Sequence, residues 1–489
     1  MIISHKHKFI FFKTRKTAGS SLQVALAQHC GPDDIITGQY RLGVDDNSHS
    51  AGLNMDRFFT NHPHPELEPV KSFVGQEIWN SYFKFAIVRN PFDIAVSRYH
   101  WNKKGKVINE EETSVKDFQH WVESKNLFKE DSLLRYTCSN GRLDLDFIGH
   151  YETLEDDVNY ICDTIGIPSL ELPTLKGGFR DKKHYSEFYN ESIRKLVEDF
   201  YATDLKLFGY SFKKDFEVKS PKPIIDKNLT SEKSINGPSL IKVPETFKNR
   251  LGKYYLYFAH HDGVSIKMAY SDNLEGPWTL YKPGTLHLSQ TPCKTHIASP
   301  DVHIKDDSIV MYYHGDTDTE QLTFRALSYD GLSFKSENKP LGMFYFRVFD
   351  YLGETYSIAK DRNISGILYK MTKAGDFEPF ANLIDKIRHS AVYVEGNELY
   401  IFYSVVGEAP ESLYVCKIVD WEVKDNYKLR QPKYRWEGSN RPLVPSSFGM
   451  PLGFVNQLRD PCIFVDKSLY LLYSYGGEAG IAISKLEKL

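Results

Sequence analysis

The chain has 489 residues, 41% of them hydrophobic and 26% charged, with a formal net charge of −3. That length exceeds one ordinary core and predicts two or three domains, while the apolar content excludes a disordered chain. The near-neutral balance excludes a general polyanion binder, and no run of eighteen apolar residues predicts a membrane-spanning helix.

In chain order, the first predicted element is a buried strand at Phe9-Ile10-Phe11-Phe12. No apolar leader-type segment precedes it, so the sequence reads as soluble and cytoplasmic. Lys13-Thr14-Arg15-Lys16-Thr17-Ala18-Gly19-Ser20-Ser21-Leu22 follows and leads into a helix-like segment. A strand, a short basic turn and a helix start make a site for a phosphate-type anion, because the free amides and the helix dipole both favour negative charge. Lys13, Arg15, Lys16, Thr17, Gly19, Ser20 and Ser21 are its candidate binding residues. Gly19 permits close backbone approach, the serines add hydroxyl donors, and Lys16 supplies a point charge. The lysine precedes the glycine, which is not the order of the nucleotide-triphosphatase pattern.

Tyr82–Arg89 reads as a second buried parallel strand, and Asn90-Pro91-Phe92-Asp93 opens a helix with Asn90 as N-cap. Arg89 then stands at the carboxyl end of a strand, where open α/β sheets bind ligands, and Ser97 follows two turns later. The string V-R-N-P-F-D-x-x-x-S-R-Y resembles the 3′-phosphate-binding signature of the sulfotransferases, and the first turn resembles their 5′-phosphosulfate loop. Phe147-Ile148-Gly149-His150-Tyr151-Glu152 and Asp204-Leu205-Lys206-Leu207-Phe208-Gly209-Tyr210 extend the resemblance to about residue 212. The carbohydrate and heparan-type branch is the most similar. The resemblance implies an α/β three-layer domain with a central parallel sheet, P-loop-like, over residues 1–212. It also implies the donor 3′-phosphoadenosine 5′-phosphosulfate, a carbohydrate acceptor such as a polysaccharide or a glycolipid sugar, and no metal. Within Thr60-Asn61-His62-Pro63-His64-Pro65, the match makes His62 the general base, with His64 and Glu66 as the next candidates. Lys182, Lys183 and His184 fit a late loop closing over the donor, with Lys183 the chosen contact.

Residues 213–235, rich in Lys, Pro, Asp and Ser, read as a linker. From residue 236 to 489 a β pattern recurs five times, as in Tyr254–Ala259, Ser308–Tyr313 and Ser468–Tyr473, which predicts an all-β five-bladed propeller. Ser271-Asp272-Asn273-Leu274-Glu275-Gly276-Pro277-Trp278 resembles a blade ending of family 43 glycoside hydrolases. The carboxylates expected of that family are missing from three inner strands. Asp301 and Asp460 remain, joined by Arg347, Arg388, His389 and Arg459. This set predicts a cationic pocket suited to an anionic or hydroxyl-rich glycan and poorly suited to hydrolysis. A rearranged Asp301/Asp460 hydrolase and a purely structural propeller are the other readings. For the whole chain the rivals are a bifunctional sulfotransferase and glycoside hydrolase, or a non-catalytic glycan-binding protein. Six scattered cysteines without a C-x-x-C pair read as free thiols, with no metal site.

Overall fold

The computed structural model describes residues 1–37, 64–103, 115–124, 126–127, 132–139, 142–173, 184–212, 215–247, 249–261, 263–362 and 364–489. The chain divides into two compact units, Met1–Lys213 and Lys214–Leu489.

The first unit is built on a sheet ordered Ile35–Ile36, Ile2–Ser4, Phe9–Phe12, Phe83–Val88, Phe147–His150. The last three strands run parallel, with Phe11 beside Phe85 and Phe85 beside Phe147. The sheet is extended by Ile2–Ser4, which pairs antiparallel with Phe9–Phe12. Both faces are covered, which is why these strands are apolar throughout. On one face Phe9, Phe11 and Phe85 pack with Leu22 and Leu26 of the helix Gly19–Ala27 and with Val158 and Ile161 of Leu154–Ile165. On the other, Ile10, Phe12 and Ala86 meet Leu67, Val70 and Trp79 of Leu67–Ser81. Burying each such phenylalanine contributes about 1.5–3 kcal/mol.

The second unit is a propeller of five antiparallel sheets. From the axis outward, blade one is Asn236–Lys242, Tyr254–Ala259, Ser265–Ser271 and Thr279–Leu280. Blades two to four begin at the axis with Ile297–Lys305, Arg347–Tyr351 and Ile387–Glu395. Blade five runs Leu458–Val465, Leu469–Tyr475, Gly480–Lys488, and then returns to Phe216–Asp226 as its outermost strand.

That last strand corrects the linker reading of residues 213–235. Phe216–Asp226 pairs with the final strand from Lys488 opposite Phe216 to Gly480 opposite Asp226. Its lysines and prolines belong to a sheet edge, where one side has no strand to bond and proline is tolerated.

The innermost strands share a local irregularity. Register shifts interrupt pairing near the axis in blades one, two, four and five. Gly237, Ser299 and Asp460 take left-handed backbone conformations there, with φ of 60°, 47° and 51°. Such bulges re-aim the following side chains. At Gly237 a Cβ would lie 2.9 Å from Ser299 Cα, so blades one and two close on each other at that point.

Candidate functional site

In the first unit the turn after Phe9–Phe12 is curled by two non-glycine residues in the left-handed region, Lys16 at φ 63° and Ala18 at φ 58°. Such backbone is uncommon and concentrates where a turn is held for function. Ala18 is the N-cap of Gly19–Ala27 and supplies no capping side chain, and no acidic residue sits in the first turn. That leaves the helix start suited to an external anion. Gly19 is required by space, since a Cβ would stand 2.9 Å from Lys13 Cγ. Ser20 and Ser21 occupy the first helical turn, half-buried.

Three residues expected to touch the anion are used inside the protein. The buried Lys13 ammonium donates to Gln23 Oε1 at 2.7 Å. Thr17 Oγ1 lies 2.6 Å from Thr14 Oγ1, and Thr14 Oγ1 donates to the Ile87 carbonyl, tying the turn to the neighbouring strand. Arg15 hydrogen-bonds to Tyr136.

Arg89 clasps the turn. Its Nη1 donates to the Lys16 carbonyl at 2.8 Å, its Nε and Nη2 meet Asp93 Oδ2 at 2.8 and 2.6 Å, and its guanidinium stacks 4.0 Å from the Tyr151 ring centre. Asn90 caps the helix Pro91–Lys103, accepting from Phe92 N at 3.1 Å, while its own N–H donates to Glu152 Oε1. Lys16 Nζ lies 4.5 Å from the Trp101 ring centre. Asp93, Ser97 and Trp101 are spaced four apart on that helix, so Ser97 shares the face that meets the turn.

His64 Nδ1 lies 2.8 Å from the Lys13 carbonyl and donates to it. Burial first, then the positive charges of Lys13 and Arg15, push its pKa down to about 3, so the ring is neutral at any working pH. Glu66 pairs with Arg135. His184 caps the short turn Tyr185–Phe188 and stacks on Tyr185. His62, Lys182 and Lys183 lie outside the described residues.

At the propeller axis, the structure corrects the cationic pocket. Arg388 donates to Glu411 Oε1 at 2.7 Å and to the Ser447 carbonyl at 2.5 Å. Arg459, 1% exposed, binds Gln457 Oε1, Glu478 Oε1 at 3.1 Å and the Gly449 carbonyl at 3.1 Å. Arg347 donates to carbonyls of two neighbouring inner strands, Ser390 of blade four and Ser299 and Pro300 of blade two. The arginines are therefore largely balanced by two carboxylates, Glu411 and Glu478, that reading the inner strands alone missed. Both sit in loops between outer strands and fold back to the axis.

Asp301 accepts from Val348 N at 2.8 Å and meets His303 Nε2 at 2.7 Å. Burial alone would raise its pKa, yet His303 and Arg347 hold it below the ordinary carboxylate value. Asp460 pairs with His389 Nδ1; against the cost of burial, His389, Ser474 and Arg459 keep it ionised. Neither carboxyl has the raised pKa of a proton-donating acid.

Residues 1–211 match the profile of the Sulfotransferase family. The N-terminal unit belongs to the sulfotransferase family. "Uncharacterized protein R118" of Acanthamoeba polyphaga mimivirus is 31% identical over 299 residues, covering 52% of this chain and 84% of that protein. "Carbohydrate sulfotransferase 10" of Xenopus laevis is 26% identical over 253 residues, covering 43% of this chain and 67% of its own length. Among solved structures, the GH43_1 enzyme of Xanthomonas citri in complex with xylotriose aligns with 55% of this chain and 89% of its own, at 12% identity and a TM-score of 0.38.

Within the sulfotransferase unit, Trp101, Asp93, Tyr151 and Glu152 complete the site and were not assigned roles from sequence. Asp93 and Tyr151 stood inside the quoted motifs, and the four-residue spacing from Ser97 to Trp101 was the signal for the last of them. All six cysteines are free thiols. Among the described residues no helix is long and apolar enough to cross a membrane.

Proposed function

We propose that the chain transfers a sulfuryl group from 3′-phosphoadenosine 5′-phosphosulfate to a carbohydrate hydroxyl, and that the propeller holds the carbohydrate. The observation that carries this reading is the Lys16 turn, curled at a helix start and clasped through its carbonyl by Arg89. The residues present fit the donor. Helix amides with Ser20 and Ser21 receive its 5′ side, and Arg89 with Ser97 receives the 3′-phosphate, which displaces Asp93 from the guanidinium. The acceptor oxygen attacks sulfur, the bond from sulfur to the bridging oxygen breaks, and adenosine 3′,5′-bisphosphate leaves. His62 takes the hydroxyl proton, and Lys16 offsets charge growing on the bridging oxygen.

Isothermal calorimetry tests the donor assignment. Adenosine 3′,5′-bisphosphate should bind well and plain AMP poorly, and Arg89→Ala should weaken the former by about 1.5–3 kcal/mol, the scale of a charge-assisted bond. Equal affinity for the two nucleotides would end the proposal.

The pH profile separates the two histidines. A general-base imidazole with a pKa near 6.5 makes kcat fall as pH drops below about 6.5, because only the neutral ring accepts a proton. His64, neutral down to about pH 3, contributes no such limb. His62→Ala should therefore lower kcat by about 10²–10⁴-fold and remove the limb. His64→Ala should instead act on nucleotide affinity through the Lys13 carbonyl. Loss of the limb in His64→Ala alone would reverse the assignment.

The propeller is read as a binder because Asp301 and Asp460 are both held ionised. Glycoside cleavage needs one carboxyl kept protonated.

A further inference from the structure

We propose that Lys360 is a nucleophilic amine that condenses with the carbonyl carbon of a small aldehyde, an open-chain aldose being the natural class, in an aromatic box at the propeller axis. The choice of an aldose rests on the carbohydrate reading above; the reactivity of the amine does not.

Lys360 lies near the end of the strand Glu354–Asp361 in blade three and is 4% exposed. Three rings surround its ammonium, with centres at 5.8 Å for Phe344, 5.8 Å for Tyr345 and 5.1 Å for Phe448. Buried lysines are normally paired with a carboxylate. Among the described residues Lys360 has no ion pair, and the acids around it are engaged elsewhere. Glu411 is held by Arg388, and Asp460 by His389. Phe448, one wall of the box, is 50% exposed. Its loop is pinned from beneath, Arg388 bonding the Ser447 carbonyl and Arg459 the Gly449 carbonyl.

Burial first, then the charges of Arg388 and Arg459 outweighing Glu411 and Asp460, lower the Lys360 pKa to about 7. A substantial share of the side chain is therefore free amine at neutral pH, as a lysine nucleophile requires. A proton carrier stands beside it. Asp460 holds His389 at Nδ1, leaving Nε2 for exchange, and the His389 ring packs edge-on against Tyr345 with centres 4.3 Å apart. Burial, with Lys360 and Arg388 near, holds His389 below the usual imidazole value in spite of Asp460, so it is neutral and able to accept.

The amine lone pair forms the carbon–nitrogen bond while the carbonyl π pair moves to oxygen. His389 carries one proton from nitrogen to that oxygen, giving the carbinolamine. A second proton follows the same way, the carbon–oxygen bond breaks, and water leaves as the nitrogen pair closes the imine. One amine and one aldehyde give one imine and one water, and no oxidant or reductant takes part.

The full chain incubated at pH 7 with D-glyceraldehyde and cyanoborohydride should trap the imine as a secondary amine, heavier by the aldehyde less one oxygen atom. Peptide mass spectrometry should find Lys360 modified at least about tenfold faster than the exposed Lys294 and Lys339. Lys360→Arg should abolish the fast reaction, and His389→Gln should slow labelling of Lys360 without changing that of Lys294. Labelling of Lys360 no faster than of Lys294 would overturn the proposal, and this comparison lies within the wild-type protein, so it stands even if a variant fails to fold. Polysaccharide binding is measured separately by calorimetry, so loss of the carbohydrate reading and loss of the amine proposal give different results.

Discussion

Lys16→Ala should cut turnover in sulfuryl transfer by about 10²–10³-fold while changing affinity for adenosine 3′,5′-bisphosphate by less than about threefold. The separation follows from how the residue is held. Its backbone is fixed by Arg89, which bonds the Lys16 carbonyl and does not depend on the side chain. Its ammonium rests over Trp101, a weak attachment that a developing negative charge can outbid. Removing the ammonium leaves the Arg89 bond to the Lys16 carbonyl in place and removes charge stabilisation that grows as the bridging oxygen departs. Single-turnover kinetics alongside calorimetry checks this. Affinity falling in step with turnover would show that Lys16 grips the ground state instead.

Arg459→Met should destabilise the propeller by about 3–5 kcal/mol, the usual cost of removing one partner from a buried ionic network. Arg459 is 1% exposed and joins Gln457, Glu478 and the Gly449 carbonyl, with Glu411 3.5 Å away. The substitution removes from buried Glu478 one of the two cations, His261 and Arg459, that hold its pKa below the ordinary carboxylate value against burial. Urea unfolding followed by circular dichroism should show an earlier transition in the variant, with nucleotide binding by the sulfotransferase unit unchanged. An unaltered unfolding curve would return Arg459 to the role of a ligand-facing residue.

The donor site was legible because its parts are local in sequence. A strand, a basic turn and a helix lie within twenty residues, and Arg89 and Asp93 are four residues apart, across a strand end and the following helix start. What sequence misplaced in that site is which hydroxyl or ammonium turns inward. Lys13 and Thr17 look like ligands in the motif, but Gln23 and Thr14 take them. Blade order was legible from alternation along the strands. The charge of the axis was not, because Glu411 and Glu478 come from loops beyond the second strand of their blades, outside the inner strands that carry the arginines. The edge strand Phe216–Asp226 was hidden for a related reason, since its partner lies at the other end of the propeller.

That pairing has a consequence for synthesis. Phe216–Asp226 leaves the ribosome first among the propeller strands, and its partner Gly480–Lys488 leaves last. At about 5–20 residues per second the early strand waits on the order of tens of seconds without a neighbour. During that time it is an open β edge, the kind of surface that recruits other chains. Lys219, Pro221, Lys222 and Pro223 make it a poor template for them. The residues that resemble a tether thus guard the nascent protein against aggregation until its own last strand arrives.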